Sequence, residues 1–187
     1  AAEFVIVDPS LKDASIFSDD KIKAITTDGI EFLLNYGQLS KTDVIVPVAP
    51  FNIAAAYIVA SYTGAKYVRL PIGFSDHFQN TWLINYSTLC VSNANFICPD
   101  DCPEGEFCTV TGERRIPMYE KIECLKFPDF KIMVLRSFQL APGVGGYKLG
   151  SLLSLRDSVV SGQKYVVATS CKCHAILSAI EWGVGGK

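Results

Sequence analysis

The amino-acid sequence predicts an α/β protein: a Rossmann-like sandwich with a mainly parallel sheet and a cysteine-rich loop inserted at about residues 98–117. Continuous apolar, β-branched runs alternate with helix-like segments, which is typical of parallel sheets covered by helices. The chain has 187 residues and is 49% hydrophobic, which suits a single domain over residues 1–187. Several predicted strands run into loops of unusual chemistry, as in folds that bind ligands beyond the carboxyl ends of their strands.

The first part of the chain alternates predicted strands with predicted helices. Short apolar runs that stop at Pro, Gly or Asp predict strands, and longer apolar segments predict helices. In chain order these are strands at 4–7 and 23–27, a helix at 30–36, a strand at 44–48, a helix at 53–62 closed by Gly64, and a strand at 66–70.

The middle of the chain is less regular, and the alternation then resumes. Residues 74–89 show no clean period, residues 89–97 predict a strand, and the cysteine-rich loop follows. After the loop we expect a strand at 130–135, a glycine-rich turn at 141–146, a helix at 147–159, a strand at 164–169 and a final helix at 174–182.

The near-neutral charge of the chain argues against two classes of partner, nucleic acids and anionic membranes. With 17 basic and 19 acidic residues, the chain has no net field to attract nucleic acid or an anionic membrane.

The longest uncharged stretch, residues 44–65, contains Pro47, Pro50 and Asn52, so a strand, a loop and a helix fit it better than a membrane span. No signal peptide is evident, although Ala1-Ala2 would fit the remnant of one. We therefore expect a cytoplasmic protein, and the apolar composition allows an oligomer.

Five of the seven cysteines fall in two segments that follow predicted strands. The first segment has the spacing C-x3-C-x5-C, and the second is Cys-Lys-Cys-His at a predicted strand-to-helix junction, where the helix macrodipole would favour thiolates. The candidate metal ligands are Cys98, Cys102, Cys108, Cys171, Cys173 and His174. A thiolate-rich site suits an iron–sulfur cluster or, alternatively, Zn²⁺, and the spacing is a standard signature of neither. Disulfide stapling of the loop is a further alternative. Cys90 and Cys124 are predicted to be buried apolar residues.

A glycine-rich segment between a predicted strand and a predicted helix is a candidate anion site. Gly143, Gly145, Gly146 and Lys148 would hold an anionic group of a ligand at the start of the helix. A tight turn that needs glycine for its backbone geometry explains the segment equally well. Asp8 and Asn52 also follow strands, and capping of a turn or helix is the better explanation for each.

The favoured function is a metal-binding α/β protein with a cysteine-ligated iron–sulfur cluster at the carboxyl edge of the sheet. It would act in redox chemistry or electron transfer on a small molecule, with a redox protein as partner for the electrons. One alternative is a small-molecule-binding or protein-interaction module stabilised by zinc. Another is a thiol-dependent enzyme, an oxidoreductase or a nucleophilic catalyst, that uses Cys171 or Cys173.

Overall fold

The computed structural model describes residues 3–12, 20–35 and 37–183, and contacts divide the chain into two compact units, Ala1–Leu39 and Ser40–Lys187. Ala1, Ala2 and Tyr36, which enter the sequence analysis, lie outside the described residues. In the first unit, strands β1 (Phe4–Val7) and β2 (Ile22–Ile25) pair in parallel, and helix α1 (Gly29–Asn35) follows. These three elements were predicted.

The second unit contains the other described elements, in two sheets and three helices. In chain order they are β3 (Val44–Ile45), α2 (Ile53–Ser61), β4 (Ala65–Tyr67), β5 (Asn80–Asn85), β6 (Thr88–Ser92), α3 (Met118–Glu123), β7 (Phe130–Arg136), β8 (Phe138–Ala141), β9 (Val144–Lys148), α4 (Leu149–Asp157), β10 (Gln163–Ser170) and β11 (His174–Trp182). One sheet has the order β5-β6-β11-β10-β7 with β4 also paired to β11, and the other has the order β3-β9-β8.

The prediction of a mainly parallel Rossmann-like sandwich is wrong. Strands account for 35% of the chain and helices for 20%, and the two sheets of the second unit are mixed or antiparallel. Tight turns connect β5 to β6, β8 to β9 and β10 to β11, and strands joined this way pair antiparallel because a parallel pair needs a long crossover. Among the described strands of the second unit, β7 and β10 are the parallel pair.

The predicted final helix is also wrong, since residues 174–182 form strand β11. This strand lies inside the larger sheet, with β10 on one side and β6 and β4 on the other. Ala175, Leu177, Ala179 and Ile180 are all buried. A strand that is covered on both faces is apolar at nearly every position, so it lacks the alternation of apolar and polar residues that marks a strand. Over the nine residues of β11, this pattern cannot be distinguished from that of a buried helix.

Helices cover both faces of the larger sheet. On one face, α3 and a 3-10 turn at Phe74–His77 contribute to an apolar cluster with the sheet: Phe74, Leu89, Val91, Met118, Ile122, Val166, Ala168, Ala175 and Leu177. On the other face, Asn52 at the start of α2 hydrogen-bonds Thr169 of β10. Alternate residues of a strand point to opposite faces, so β10 is packed on both sides.

The uncharged stretch at residues 44–65 forms strand β3, a loop and helix α2, as predicted. No helix in the described ranges is long and apolar enough to cross a membrane. Strands β5, β8 and β9 and helix α3 were not predicted from the sequence. The predicted glycine-rich turn at 141–146 is part of the β8–β9 hairpin, and the helix that follows begins at Leu149.

Candidate metal centre

Strand pairing places the cysteine-rich loop beside the turn that joins β10 to β11. Ser92, the last residue of β6, pairs with His174, the first residue of β11. The next residue along, Asn93, donates its backbone N–H to the Cys173 carbonyl at 2.8 Å. The chain therefore enters the loop directly against residues 171–174, which we call the Cys171–His174 turn.

The cysteine-rich loop is held by hydrogen bonds within its own backbone, by the β8–β9 hairpin and by the Cys171–His174 turn. Phe107 and Arg114 form an isolated antiparallel bridge, and Cys108 donates its backbone N–H to Glu113. The side chain of Gln139 in β8 donates to the Cys102 carbonyl at 2.8 Å. These contacts fix the positions of the cysteines along the loop.

Four cysteines line one cavity of about 250 Å³, which we call the four-thiol cavity. Cys98, Cys102 and Cys108 come from the loop and Cys173 from the Cys171–His174 turn. Arg115 lines the same cavity, and its guanidinium lies 3.9 Å from the Cys102 sulfur. The structure thus brings together four of the six predicted ligands, from two segments that are far apart in sequence.

The thiols of the four-thiol cavity differ in acidity. Backbone N–H groups of Thr111 and Val110 and the Thr111 hydroxyl donate to the Cys108 sulfur and lower the pKa of Cys108 to about 7. Burial raises the pKa of Cys173 to about 11, against the opposing effect of the Arg115 charge. Burial and the neighbouring thiols raise the pKa of Cys98. A cation in the cavity would lower the pKa of each thiol that faces it, because it stabilises the thiolate.

The other two predicted ligands lie in a different group, the Glu104–Cys171–His174 group. One ligand atom from each of these residues lies within 4.8 Å of the other two. The Cys171 sulfur accepts the backbone N–H groups of Cys173 at 3.4 Å and His174 at 3.3 Å. Burial and the Glu104 carboxylate raise the pKa of Cys171 to about 12. His174 is exposed as a residue, and partial desolvation of its imidazole by the neighbouring groups lowers its pKa.

Glu104 was not among the ligands predicted from the sequence. Its backbone φ of 47° lies in the left-handed region, and Glu104 is the one residue other than glycine with a positive φ among the described residues. Left-handed backbone is uncommon for a side chain of this size. The sequence signal that could have found Glu104 is its position between two candidate ligands, Cys102 and Cys108.

The Cys171–His174 turn is a β-hairpin turn, so the predicted strand-to-helix junction is wrong. The helix macrodipole that would have favoured a thiolate at Cys171 or Cys173 is therefore missing from this turn. Cys124 was predicted to be buried and is exposed, whereas Cys90 is half-buried in β6. The predicted capping roles are confirmed: the Asn52 side chain accepts the Ala55 N–H at the start of α2, and the Asp8 carboxylate accepts the Ser10 N–H.

The glycine-rich segment serves close packing in the structure. A Cβ on Gly146 would lie 2.8 Å from the Ile45 carbonyl oxygen of the neighbouring strand, and Gly143 has a φ of 74° at the hairpin turn. The first N–H groups of α4, from Leu149 and Gly150, already donate to backbone carbonyls of the second unit. Anion binding by Gly143, Gly145, Gly146 and Lys148 stays a prediction.

The fold and the site define a class: a mostly β protein with mixed and antiparallel sheets, whose cysteine-rich loop closes a thiol-lined cavity against a β-hairpin. Residues 51–183 match a family model described as "Uncharacterized protein, C-terminal domain", and the chain belongs to this family. The matched region includes both groups of candidate ligands. A protein of Archaeoglobus fulgidus named "Uncharacterized protein" is 25% identical over 157 residues, which are 82% of this chain and 71% of that protein. No solved structure matches the chain significantly.

Proposed function

We propose that the four-thiol cavity holds an iron–sulfur cluster ligated by Cys98, Cys102, Cys108 and Cys173, and that the protein acts in redox chemistry or electron transfer on a small molecule. The observation that carries the proposal is the convergence of these four thiols on one cavity. Iron–sulfur clusters are held in most proteins by four cysteine thiolates. The loop and the turn supply that number of thiols without a disulfide, since all seven cysteines are free.

A structural zinc ion is the alternative occupant of the four-thiol cavity, since it also takes four thiolates, in a tetrahedron with Zn–S distances of about 2.3 Å. Metal analysis separates the two occupants, because a cluster brings iron and sulfide whereas a zinc site brings one zinc per chain.

Charged and polar groups around the cavity support a redox role. Arg115 faces the thiols, and the N–H groups that point at Cys108 would stabilise the negative charge of a ligated sulfur. Hydrogen bonds to the sulfurs and nearby charge are the means by which proteins set cluster reduction potentials. Lys121 also lines the cavity and donates to Asn93 at 2.7 Å. The cavity is lined by three basic side chains, Arg114, Arg115 and Lys121, and one acidic side chain, Glu113, and this excess of positive charge favours a small molecule with an anionic group.

Anaerobic purification followed by iron and acid-labile sulfide analysis tests the proposal. We expect iron and sulfide in equal amounts and a visible absorption band that dithionite bleaches. Serine in place of Cys98, Cys102, Cys108 or Cys173 should reduce the iron content. Cys124→Ser is the matched control, because Cys124 is exposed and does not line the cavity, and this variant should keep its iron.

Two results would overturn the proposal. A colourless protein with neither iron nor sulfide under anaerobic conditions would exclude the cluster. One zinc per chain that is lost in Cys98→Ser, without iron, would identify a zinc-stabilised module instead. Circular dichroism of each variant separates loss of the cluster from loss of the fold.

A further inference from the structure

The Glu104–Cys171–His174 group combines three ligand chemistries at one point on the surface. A carboxylate oxygen, a thiol sulfur and an imidazole nitrogen lie within 4.8 Å of one another. Catalytic zinc sites have three protein ligands of these kinds and keep a fourth position for water or substrate. Mixed O, S and N donors suit a borderline-soft cation such as Zn²⁺ and not Mg²⁺ or Ca²⁺, which prefer oxygen alone.

We infer that Glu104, Cys171 and His174 form a second metal site, for a divalent transition metal ion of the Zn²⁺ type, with one coordination position open to a water or to an oxygen atom of a small molecule. This site shares no side chain with the four-thiol cavity, which is lined by Cys173 and three loop cysteines. The inference therefore does not depend on the iron–sulfur cluster.

The backbone around the group holds the three side chains in place. Glu104 adopts its left-handed φ of 47°, and the Lys172 ammonium donates to the Glu104 carbonyl at 2.8 Å. Unfavourable backbone conformations persist where the surroundings hold them, and they concentrate at functional sites. The strain at Glu104 is thus compensated by a contact that ties the loop to the Cys171–His174 turn.

The environment of Cys171 suits a metal-bound thiolate. Its sulfur accepts two backbone N–H groups, from Cys173 and His174, which is the arrangement that stabilises negative charge on sulfur. The Glu104 carboxylate and the Cys171 sulfur lie within 4.8 Å of each other, so two anions there would repel without a cation between them. A divalent cation between the two residues would remove the repulsion and allow both to bind as anions.

The fourth position of this site is accessible. Glu104 and Cys171 are half-buried, whereas His174 is exposed, so solvent reaches the group from the side of the imidazole. A water bound there by Zn²⁺ has its pKa lowered to about 7. The site could then supply hydroxide or polarise a carbonyl or phosphoryl oxygen, which is Lewis-acid chemistry.

Cobalt and zinc titrations of the anaerobically purified full chain test the inference. We expect one Co²⁺ per chain with the strong visible bands of a four-coordinate ion and a sulfur-to-cobalt charge-transfer band, and Zn²⁺ should displace it. Glu104→Gln, Cys171→Ser and His174→Gln should each weaken Zn²⁺ binding by ~10-fold or more, since loss of even an outer partner of a ligand costs roughly 10–100-fold. Cys171→Ser alone should abolish the charge-transfer band, and iron content should not change in any of the three.

Matched controls are available for each ligand type. Glu106→Gln replaces a nearby exposed carboxylate that pairs with Arg114, His77→Gln replaces the other histidine, and Cys124→Ser replaces an exposed cysteine. All three should bind Co²⁺ and Zn²⁺ like the unaltered protein.

The outcomes separate the two sites. Iron without any Co²⁺ or Zn²⁺ binding overturns this inference and leaves the cluster proposal standing. Zinc that depends on His174 in a protein without iron supports the inference and overturns the cluster. Zinc that survives His174→Gln and is lost in Cys98→Ser lies in the four-thiol cavity, and this result overturns the inference.

Discussion

Replacing Asn52 with alanine should lower the free energy of unfolding of the second unit by about 3 kcal/mol, because one side chain caps a helix and also holds two strands. Asn52 is 2% exposed. Its amide oxygen accepts the Ala55 N–H at 3.3 Å, and its amide nitrogen donates to the Val167 carbonyl at 2.9 Å and the Ile176 carbonyl at 3.3 Å. These carbonyls belong to β10 and β11, the strands that carry the Cys171–His174 turn.

The magnitude follows from these contacts. Loss of a helix cap costs about 1 kcal/mol, and each of the two hydrogen bonds to strand carbonyls, one buried and one part-buried, contributes about 1 kcal/mol net. Asn52→Ser keeps a capping oxygen but is too short to reach both strands, so it should cost about 2 kcal/mol. Asn95→Ala is the control, because Asn95 is exposed and a surface change of this kind stays within about 0.5 kcal/mol.

Urea unfolding followed by tryptophan fluorescence measures the effect, since both tryptophans, Trp82 and Trp182, lie in the second unit. With an m-value of about 2 kcal/mol/M, the Asn52→Ala midpoint should fall by about 1.5 M. If Asn52→Ala shifts the midpoint no more than Asn95→Ala, the contacts of Asn52 do not stabilise the fold and the reasoning is refuted.

Three further predictions concern packing and thiol acidity. Gly146→Ala should lose about 1–3 kcal/mol of stability in thermal unfolding, because the added Cβ would lie 2.8 Å from a carbonyl oxygen. Gly183→Ala is the control, because the atom nearest to its added Cβ would be 3.8 Å away. In metal-free reduced protein, Cys108 should be the cysteine that is alkylated fastest, and its rate should rise through about pH 7 as the thiolate forms. Cys171, with a pKa of about 12, should react slowly, and equal labelling of the two would contradict this prediction. Arg115→Gln should move the Cys108 profile to higher pH, because the Arg115 charge lowers the pKa of Cys108, and Arg114→Gln, at an exposed ion pair, should leave it unchanged.

Several strands and helices were predictable from the sequence, whereas strand direction was not. The apolar runs at β1, β7 and β10 and the segments at α2 and α4 carry enough periodicity or length to identify them. Whether two strands pair parallel or antiparallel depends on the length and path of the chain that connects them, and the residues within a strand do not indicate its direction. The edge strand β5 was missed because its residues are mostly exposed, so no alternation of buried and exposed positions marks it.

The meeting of the two cysteine segments was predicted for a reason that is partly wrong. Both segments were expected at the carboxyl ends of parallel strands. In the structure, β6 and β11 are antiparallel, so the end of β6 lies beside the start of β11, which a tight turn connects to the end of β10. Both geometries bring the segments to one edge of the sheet. The division of the candidate ligands between the four-thiol cavity and the Glu104–Cys171–His174 group could not be predicted, because it depends on the conformation of the turn between Ser170 and His174.

The position of β11 has a consequence for synthesis on the ribosome. This strand follows every other described strand in sequence, yet it lies between β6 and β4 on one side and β10 on the other. Strands β4, β5 and β6 therefore cannot join β7 and β10 into one sheet until residues 174–182 have left the ribosomal tunnel. Cys173 immediately precedes this strand and His174 begins it, so a nascent chain displays Cys98, Cys102 and Cys108 on the loop before their neighbours in the turn are in place. Any ligand that both cysteine segments hold can therefore bind only after β11 has completed the sheet.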